Sequence, residues 1–231
     1  MLFYCPYLQE KEVFLPEDEA IHCLQVLRKS TNDIITITDG KGHFAKAKIL
    51  SNKPKKCLLQ IFEVQKQSPK SYYLHIAIAP TKNIERVEWF VEKATEIGID
   101  EISFLLCQRS ERKEIRLERL QKIALQAMKQ SKQAYLPALN PIEKFESFIT
   151  KQVDYAQKWI AFVGAETFLG QVVQPYSKYL LLIGAEGDFS DEEVKFAQKN
   201  NFQGVSLGKN VLRTETAGIM ACALVASKNF T

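Results

Sequence analysis

The sequence predicts an α/β protein preceded by a small β-rich unit, and three observations carry that expectation. Before residue 68, short apolar runs alternate at period two and are separated by glycine-bearing and lysine-proline turns. From Tyr72 onward, apolar runs of strand length alternate with stretches whose apolar residues recur at helical spacing. That is the pattern of a mostly parallel sheet covered on both faces. The polar run Gln65-Lys66-Gln67-Ser68-Pro69-Lys70 separates the two patterns, so the units are expected over 1–68 and 72–231.

In the first unit, residues 17–28 read as a short helix with Ala20, Leu24 and Leu27 on one face. Ile35-Thr36-Ile37-Thr38 alternates as a strand, Asp39-Gly40-Lys41-Gly42 turns the chain, and residues 44–50 run back. Lys53-Pro54-Lys55-Lys56 is a second turn before a strand over 58–64. Short strands joined by tight turns predict a small barrel. In the second unit a strand over 74–79 ends at Pro80. Ile84, Val87, Val91, Ala94 and Ile97 then mark one face of a helix that Gly98 ends. A strand over 102–106, a long basic helix over 114–131 and a short helix over 142–149 follow. Strands over 159–163 and 179–183 come next. Ser190 and Glu193 have the spacing of a capping box, so a helix starts there and reaches about Asn200. A short strand over 204–207 and a last helix from Thr214 complete the chain.

Composition narrows the class. The 231 residues carry a net charge of only +4, but the charge is segregated. Residues 41–56 hold six lysines and no acid, and residues 108–132 hold eight Lys/Arg against three Glu. Segregation of that kind suits an anionic partner, although lysine-rich loops are also ordinary solvated faces. No apolar run approaches the roughly 20 residues of a membrane span. The first residues lack the pattern of a secretion signal. The five cysteines form no Cys-x-x-Cys pair, so neither a disulfide framework nor a zinc site is expected, and a reducing cytoplasm is the simple reading.

The chemistry is expected after residue 179. The run 179–183 stops at Gly184-Ala185-Glu186-Gly187, and the strand over 204–207 stops at Gly208-Lys209-Asn210. Two strand ends thus each deliver a glycine-bearing loop, where α/β sheets bind ligands. The first loop is not Gly-x-Gly-x-x-Gly and lacks the Lys-Ser/Thr of a phosphate loop. Its spacing alone reads as a tight turn. Taken singly, Arg213 reads as a structural pairing residue and Thr214 as a helix cap. Arg109, Arg112, Arg116 and Arg119 recur at three- and four-residue steps and would share one flank of the basic helix, suited to phosphates. His22, His43 and His75 show no metal spacing and no triad with a serine and an acid.

Taken together, Ile183-Gly184-Ala185-Glu186-Gly187-Asp188-Phe189-Ser190 and Leu207-Gly208-Lys209-Asn210-Val211-Leu212-Arg213-Thr214-Glu215-Thr216-Ala217 resemble the closing signature of the 16S rRNA uridine N3-methyltransferases. These belong to the trefoil-knotted (SPOUT) methyltransferase superfamily. Lys93-Ala94-Thr95-Glu96-Ile97-Gly98 with Gln108-Arg109-Ser110 resembles the family's central motif, and Gln126-Ala127-Met128-Lys129-Gln130-Ser131 with Pro137 the one after it. His22 with Val26-Leu27-Arg28, and Asp39-Gly40-Lys41-Gly42, resemble its N-terminal RNA-binding unit. The chain departs from the family's usual Pro at Ala185, its frequent Gly at Asp188, and its basic residue at Gln133.

The resemblance implies a PUA-like β-barrel over 1–68 and a SPOUT-type α/β domain with a deep trefoil knot over 72–231. It implies S-adenosylmethionine as methyl donor, 16S rRNA of the small ribosomal subunit as partner, a homodimer, and neither metal nor membrane. The donor site would comprise Val163, Gly184, Glu186, Gly187, Leu207, Gly208, Val211 and Leu212. The glycines would let backbone approach the ligand, and the apolar residues would wall its adenine. Arg213 would stabilise charge building on the uracil carbonyls, with Glu186 as base or cofactor contact. RNA contacts would come from Arg28, Lys41, Lys46, Arg109, Arg112 and Arg116.

Overall fold

The computed structural model describes residues 1–53, 55–152 and 154–230. The turn expected at Lys53-Pro54-Lys55-Lys56 contains Pro54, which lies outside the described residues. The chain divides into two compact units, one of Met1–Pro69 with Leu125–Leu136 and one of Lys70–Ala124 with Pro137–Thr231.

The first unit is built on a five-stranded sheet ordered β1-β3-β4-β5-β2. Its strands are β1 (Leu2–Tyr4), β2 (Glu12–Phe14), β3 (Ile34–Thr38), β4 (His43–Lys53) and β5 (Lys56–Lys66). β1 runs parallel to β3 and the remaining pairs are antiparallel. β1 and β2 were not expected, because three residues are too few to show a period. The expected helix over 17–28 is shorter. α1 (Glu17–Ile21) passes into one π-helical turn (His22–Val26), and Arg28 already has φ +54°. Phe3, Leu15, Ile37, Ile49 and Leu59 fill the core, with Cys5, Cys23 and Cys57 among them. Within this unit, Gly42 N–H donates to the Ala134 carbonyl at 2.8 Å and the Tyr135 hydroxyl to that of Gln67 at 2.8 Å.

The second unit carries a six-stranded sheet, parallel throughout and ordered β11-β9-β10-β6-β7-β8. The strands are β6 (Tyr73–Ile78), β7 (Glu101–Leu106), β8 (Ala138–Lys144), β9 (Gln157–Ala161), β10 (Lys178–Ile183) and β11 (Gln203–Val205). β6 and β10 lie at the centre and are buried almost end to end, which is why both read as unbroken apolar runs. The helices are α2 (Ile84–Ile97), α3 (Leu117–Gln130, whose residues from Leu125 belong to the first unit), α4 (Phe145–Lys151), α5 (Leu169–Val172), α6 (Asp191–Lys199) and α7 (Thr214–Ser227). Asn83 caps α2 by accepting the Glu85 amide at 2.9 Å, and Gly98 ends it at φ +96°. The capping box of α6 is formed: Ser190 Oγ accepts the Glu193 amide at 3.2 Å and Glu193 Oε2 accepts that of Ser190 at 2.9 Å.

Two further expectations are corrected. The basic helix begins at Leu117, so Arg109, Arg112 and Arg116 lie in the preceding loop and share no helix flank. The segment expected as helix over 142–149 is strand as far as Lys144 and helix only from Phe145. Pro141 suppressed the strand signal there, yet β8 is an edge strand, where proline is tolerated.

Candidate active site

β11, β9 and β10 are neighbours in a parallel sheet, so the loops leaving their carboxyl ends adjoin. Between these loops lies a cavity of about 930 Å³. Val163, Gly184, Glu186, Leu207, Gly208, Val211, Leu212 and Arg213 all line it. Of the residues expected at a donor site, Gly187 alone does not. Two apolar side chains at the cavity, Val163 at 64% and Val211 at 79%, are left open to solvent. Apolar side chains left open at a cavity suit an apolar ligand surface.

The glycines differ in what they do. Gly208 sits at φ +145° with open space around its missing Cβ, so backbone conformation demands it and a ligand can approach it. At Gly184 a Cβ would stand 3.1 Å from the Phe189 amide, so that glycine serves the turn's own packing. At Gly187 a Cβ would lie 3.3 Å from Arg109 Cδ. Close approach to a ligand therefore fits Gly208 and not the other two.

The loop after β10 is tightly tied. Asp188 Oδ2 accepts the Val163 amide at 2.8 Å and its Oδ1 accepts the Phe189 amide at 2.8 Å. Glu186 Oε1 accepts the Lys82 amide at 2.9 Å. Arg213 precedes α7 and accepts the Ala217 amide through its carbonyl at 2.8 Å. Its guanidinium is exposed and makes no hydrogen bond or ion pair among the described residues. Arg213 does not pair structurally, contrary to the reading of its position alone.

The basic residues fall into four groups. Arg28 and Lys41 are exposed in the first unit, where Lys41 sits in a turn shaped by Asp39. Burial raises the Asp39 carboxyl, but the Lys41 amide at 2.7 Å and the His43 ring and amide overcome this and hold it below its usual range. Lys46 is exposed and pairs with Glu63 at 2.7 Å. Arg116 is exposed just ahead of α3. Arg109 and Arg112 instead direct guanidinium donors at backbone carbonyls of neighbouring loops.

Several cavity residues carried no sequence signal. Ala165, Glu166, Phe168 and Gln171 follow β9 in a stretch that reads as plain loop, and Ser206 precedes the glycine turn after β11. Only the parallel pairing of β9 with β10 and β11 brings them there. Among the described residues no group of His, Cys, Asp and Glu could hold a metal ion, and no helix is long and apolar enough to cross a membrane. All five cysteines are free and buried.

A parallel sheet with a ligand-sized cavity between three strand-end loops makes the second unit a small-molecule-binding α/β domain. A family model described as RNA methyltransferase domain matches residues 67–226, and one described as RNA methyltransferase PUA domain matches residues 15–62. The chain belongs to this family of RNA methyltransferases, as its motifs suggested. The crystal structure of a probable rRNA-methyltransferase from Porphyromonas gingivalis is 40% identical, with a TM-score of 0.92 over 99% of this chain and 98% of that one. The Ribosomal RNA small subunit methyltransferase E from Neisseria gonorrhoeae, bound to S-adenosyl methionine, is 27% identical, with a TM-score of 0.91 over 100% and 99% of the chains. The protein of the same name from Mesomycoplasma hyopneumoniae is 25% identical over 216 residues, 91% of this chain and 92% of that one.

Proposed function

We propose that this chain methylates N3 of a uridine in the 16S rRNA of the small ribosomal subunit, with S-adenosylmethionine as donor. The observation that carries the reading is the cavity between the β9, β10 and β11 loops, set in a chain of the RNA methyltransferase family. Its volume of about 930 Å³ suits a nucleoside-sized ligand, and its exposed valines and open Gly208 suit an apolar ring and a close backbone contact. Val163, Leu207, Val211 and Leu212 would wall the ligand, and the loop amides and carbonyls would bond its polar edge. Bound there, the donor supplies an electrophilic methyl group.

Uracil N3 carries a proton and is a poor nucleophile until that proton leaves. Arg213 stabilises the negative charge then shared by the flanking carbonyls. Support comes from its unpaired guanidinium at the cavity and from its place ahead of α7, whose N-terminal dipole adds to the same field. Glu186 has one oxygen on the Lys82 amide, and its other oxygen makes no hydrogen bond among the described residues, leaving it to receive a proton or a donor contact.

RNA is held by the first unit, read as a PUA-like barrel, through Arg28, Lys41 and Lys46, with Arg116 from the second unit. The same reading carries a trefoil knot and a homodimer. Trp89 on α2 and Met220 on α7, 43% and 39% exposed, support a second copy as cover. The five buried thiols suit the reducing cytoplasm, where ribosomal RNA is modified.

The test is to incubate small subunits or their rRNA with the protein and isotope-labelled S-adenosylmethionine, then digest the RNA and identify the labelled nucleoside. N3-methyluridine is expected; label on another atom or base reassigns the reaction.

A further inference from the structure

The loops after β6, β7 and β10 are joined by side chains that bond backbone atoms. From the loop after β7, Arg109 donates through Nη1 to the carbonyls of Gly187 at 2.6 Å and Phe189 at 3.2 Å. Three residues on, Arg112 donates through Nε to the Thr81 carbonyl at 2.9 Å and through Nη2 to that of Lys82. Glu186 closes the circuit by accepting the Lys82 amide at 2.9 Å. Glu193 adds a fourth tie, its carboxylate accepting the amides of Gln108 at 2.8 Å and Ser190 at 2.9 Å. The packing agrees, since the bare face of Gly187 is where the Arg109 stem lies.

We propose that Arg109 and Arg112 are positioning residues for the methyl donor rather than contacts to RNA phosphate, an inference that rests on reading the cavity as the donor site. Neither lines the cavity, so they act through the loops that do. A guanidinium fork on peptide carbonyls is charge-assisted and geometrically fixed. It holds the segment 184–189 in one conformation before the donor arrives, which removes an ordering cost from binding. Arg112 acts one step further out by holding Lys82, whose amide in turn holds Glu186. Arg109 commits Nη1, and Arg112 commits Nε and Nη2, to loop carbonyls, which is the work of a side chain that shapes a loop.

Titration calorimetry with S-adenosylmethionine on Arg109→Ala, Arg109→Lys and Arg112→Ala tests this, beside the salt dependence of binding to a single-stranded oligouridylate. The dissociation constant for the donor is expected to rise roughly tenfold in Arg109→Ala, the loss of charged hydrogen bonds. Arg109→Lys recovers part of it, and the donor KM rises more than kcat falls. The slope of log affinity against log salt for RNA stays at the wild-type value. Donor affinity unchanged in both alanine variants, or an RNA slope shallower by about 0.7 per arginine removed, overturns the proposal. Should Arg109→Ala not fold, Arg112→Ala reads the same effect from the other loop. A wild-type chain that binds no donor removes the donor-site reading itself, a result distinct from normal wild-type binding with unaffected variants.

Discussion

Asp188, held at φ +60°, accepts the amide of Val163 at 2.8 Å and so ties the loop after β10 to the end of β9. The left-handed conformation is one that glycine adopts freely, whereas a side chain costs about 1 kcal/mol in that region. Aspartate is among the residues that tolerate it, and it uses its carboxylate on local amides. Asp188→Ala keeps the strain and loses both hydrogen bonds, so it is expected to destabilise the protein by about 1–3 kcal/mol. Asp188→Gly relieves the strain and is expected to melt nearer the wild type while binding donor more weakly. Thermal melts with donor titration separate the two; equal loss of stability in both variants would refute the strain argument.

Arg213 stands at the cavity, and its guanidinium makes no hydrogen bond or ion pair among the described residues. Arg213→Ala is expected to slow single-turnover methylation by roughly 10²–10³-fold, the scale of removing one charge-stabilising donor. Donor affinity should change only a few-fold. A single-turnover rate equal to the wild type removes Arg213 from the chemistry.

His75 is buried between Tyr155 Oη at 2.7 Å and Ser103 Oγ at 2.8 Å, with Glu101 at 3.6 Å. Burial drives its pKa down to about 4; Glu101 opposes this and Lys178 assists it. The unfolded chain therefore binds the extra proton between about pH 6.5 and 4, and folding stability falls as pH falls through that window. The slope is about 1.4 kcal/mol per pH unit at its steepest. His75→Gln should flatten denaturant-derived stability between pH 6 and 4.5; an unchanged slope would show that other groups set the acid response.

In the first unit Lys129 Nζ and Glu19 Oε1 form an ion pair whose side chains are each only 7% exposed. Glu19 Oε2 also accepts the Tyr4 amide at 3.3 Å. Lys129→Met leaves a buried, unpaired carboxylate and is expected to cost about 3–5 kcal/mol. The double change Glu19→Leu with Lys129→Met should recover much of it, as measured by urea unfolding. A double variant no more stable than the single would contradict a desolvation cost.

Trp89→Glu or Met220→Glu is expected to shift sedimentation from dimer toward monomer, since each places charge on an exposed apolar site. A wild-type chain that sediments as a monomer at micromolar concentration would end the dimer proposal.

What local pattern could announce, it did. Helix α2 was legible because Gly98 and five apolar positions at helical spacing agree. The capping box of α6 needed only Ser190 and Glu193. The motifs after β10 and β11 placed Gly184, Glu186, Gly208 and Arg213 at a site and led to the family, because the backbone turns they serve are local. β1, β2 and β8 stayed hidden, being too short or marked by proline.

Tertiary structure alone decided the rest. That β9, β10 and β11 lie side by side follows from strand order, which no periodicity encodes, and it brings Val163 and Glu166 to the same cavity as Leu212. The arginines illustrate the division best. Charge and spacing placed Arg109 and Arg112 on one flank of a helix, yet the helix begins at Leu117, and Arg109 Nη1 and Arg112 Nε bond carbonyls 78 and 31 residues away in sequence. A side chain's partner depends on which backbone the fold carries to it, so residue type fixes what an arginine can bond but only the packed chain selects what it does bond.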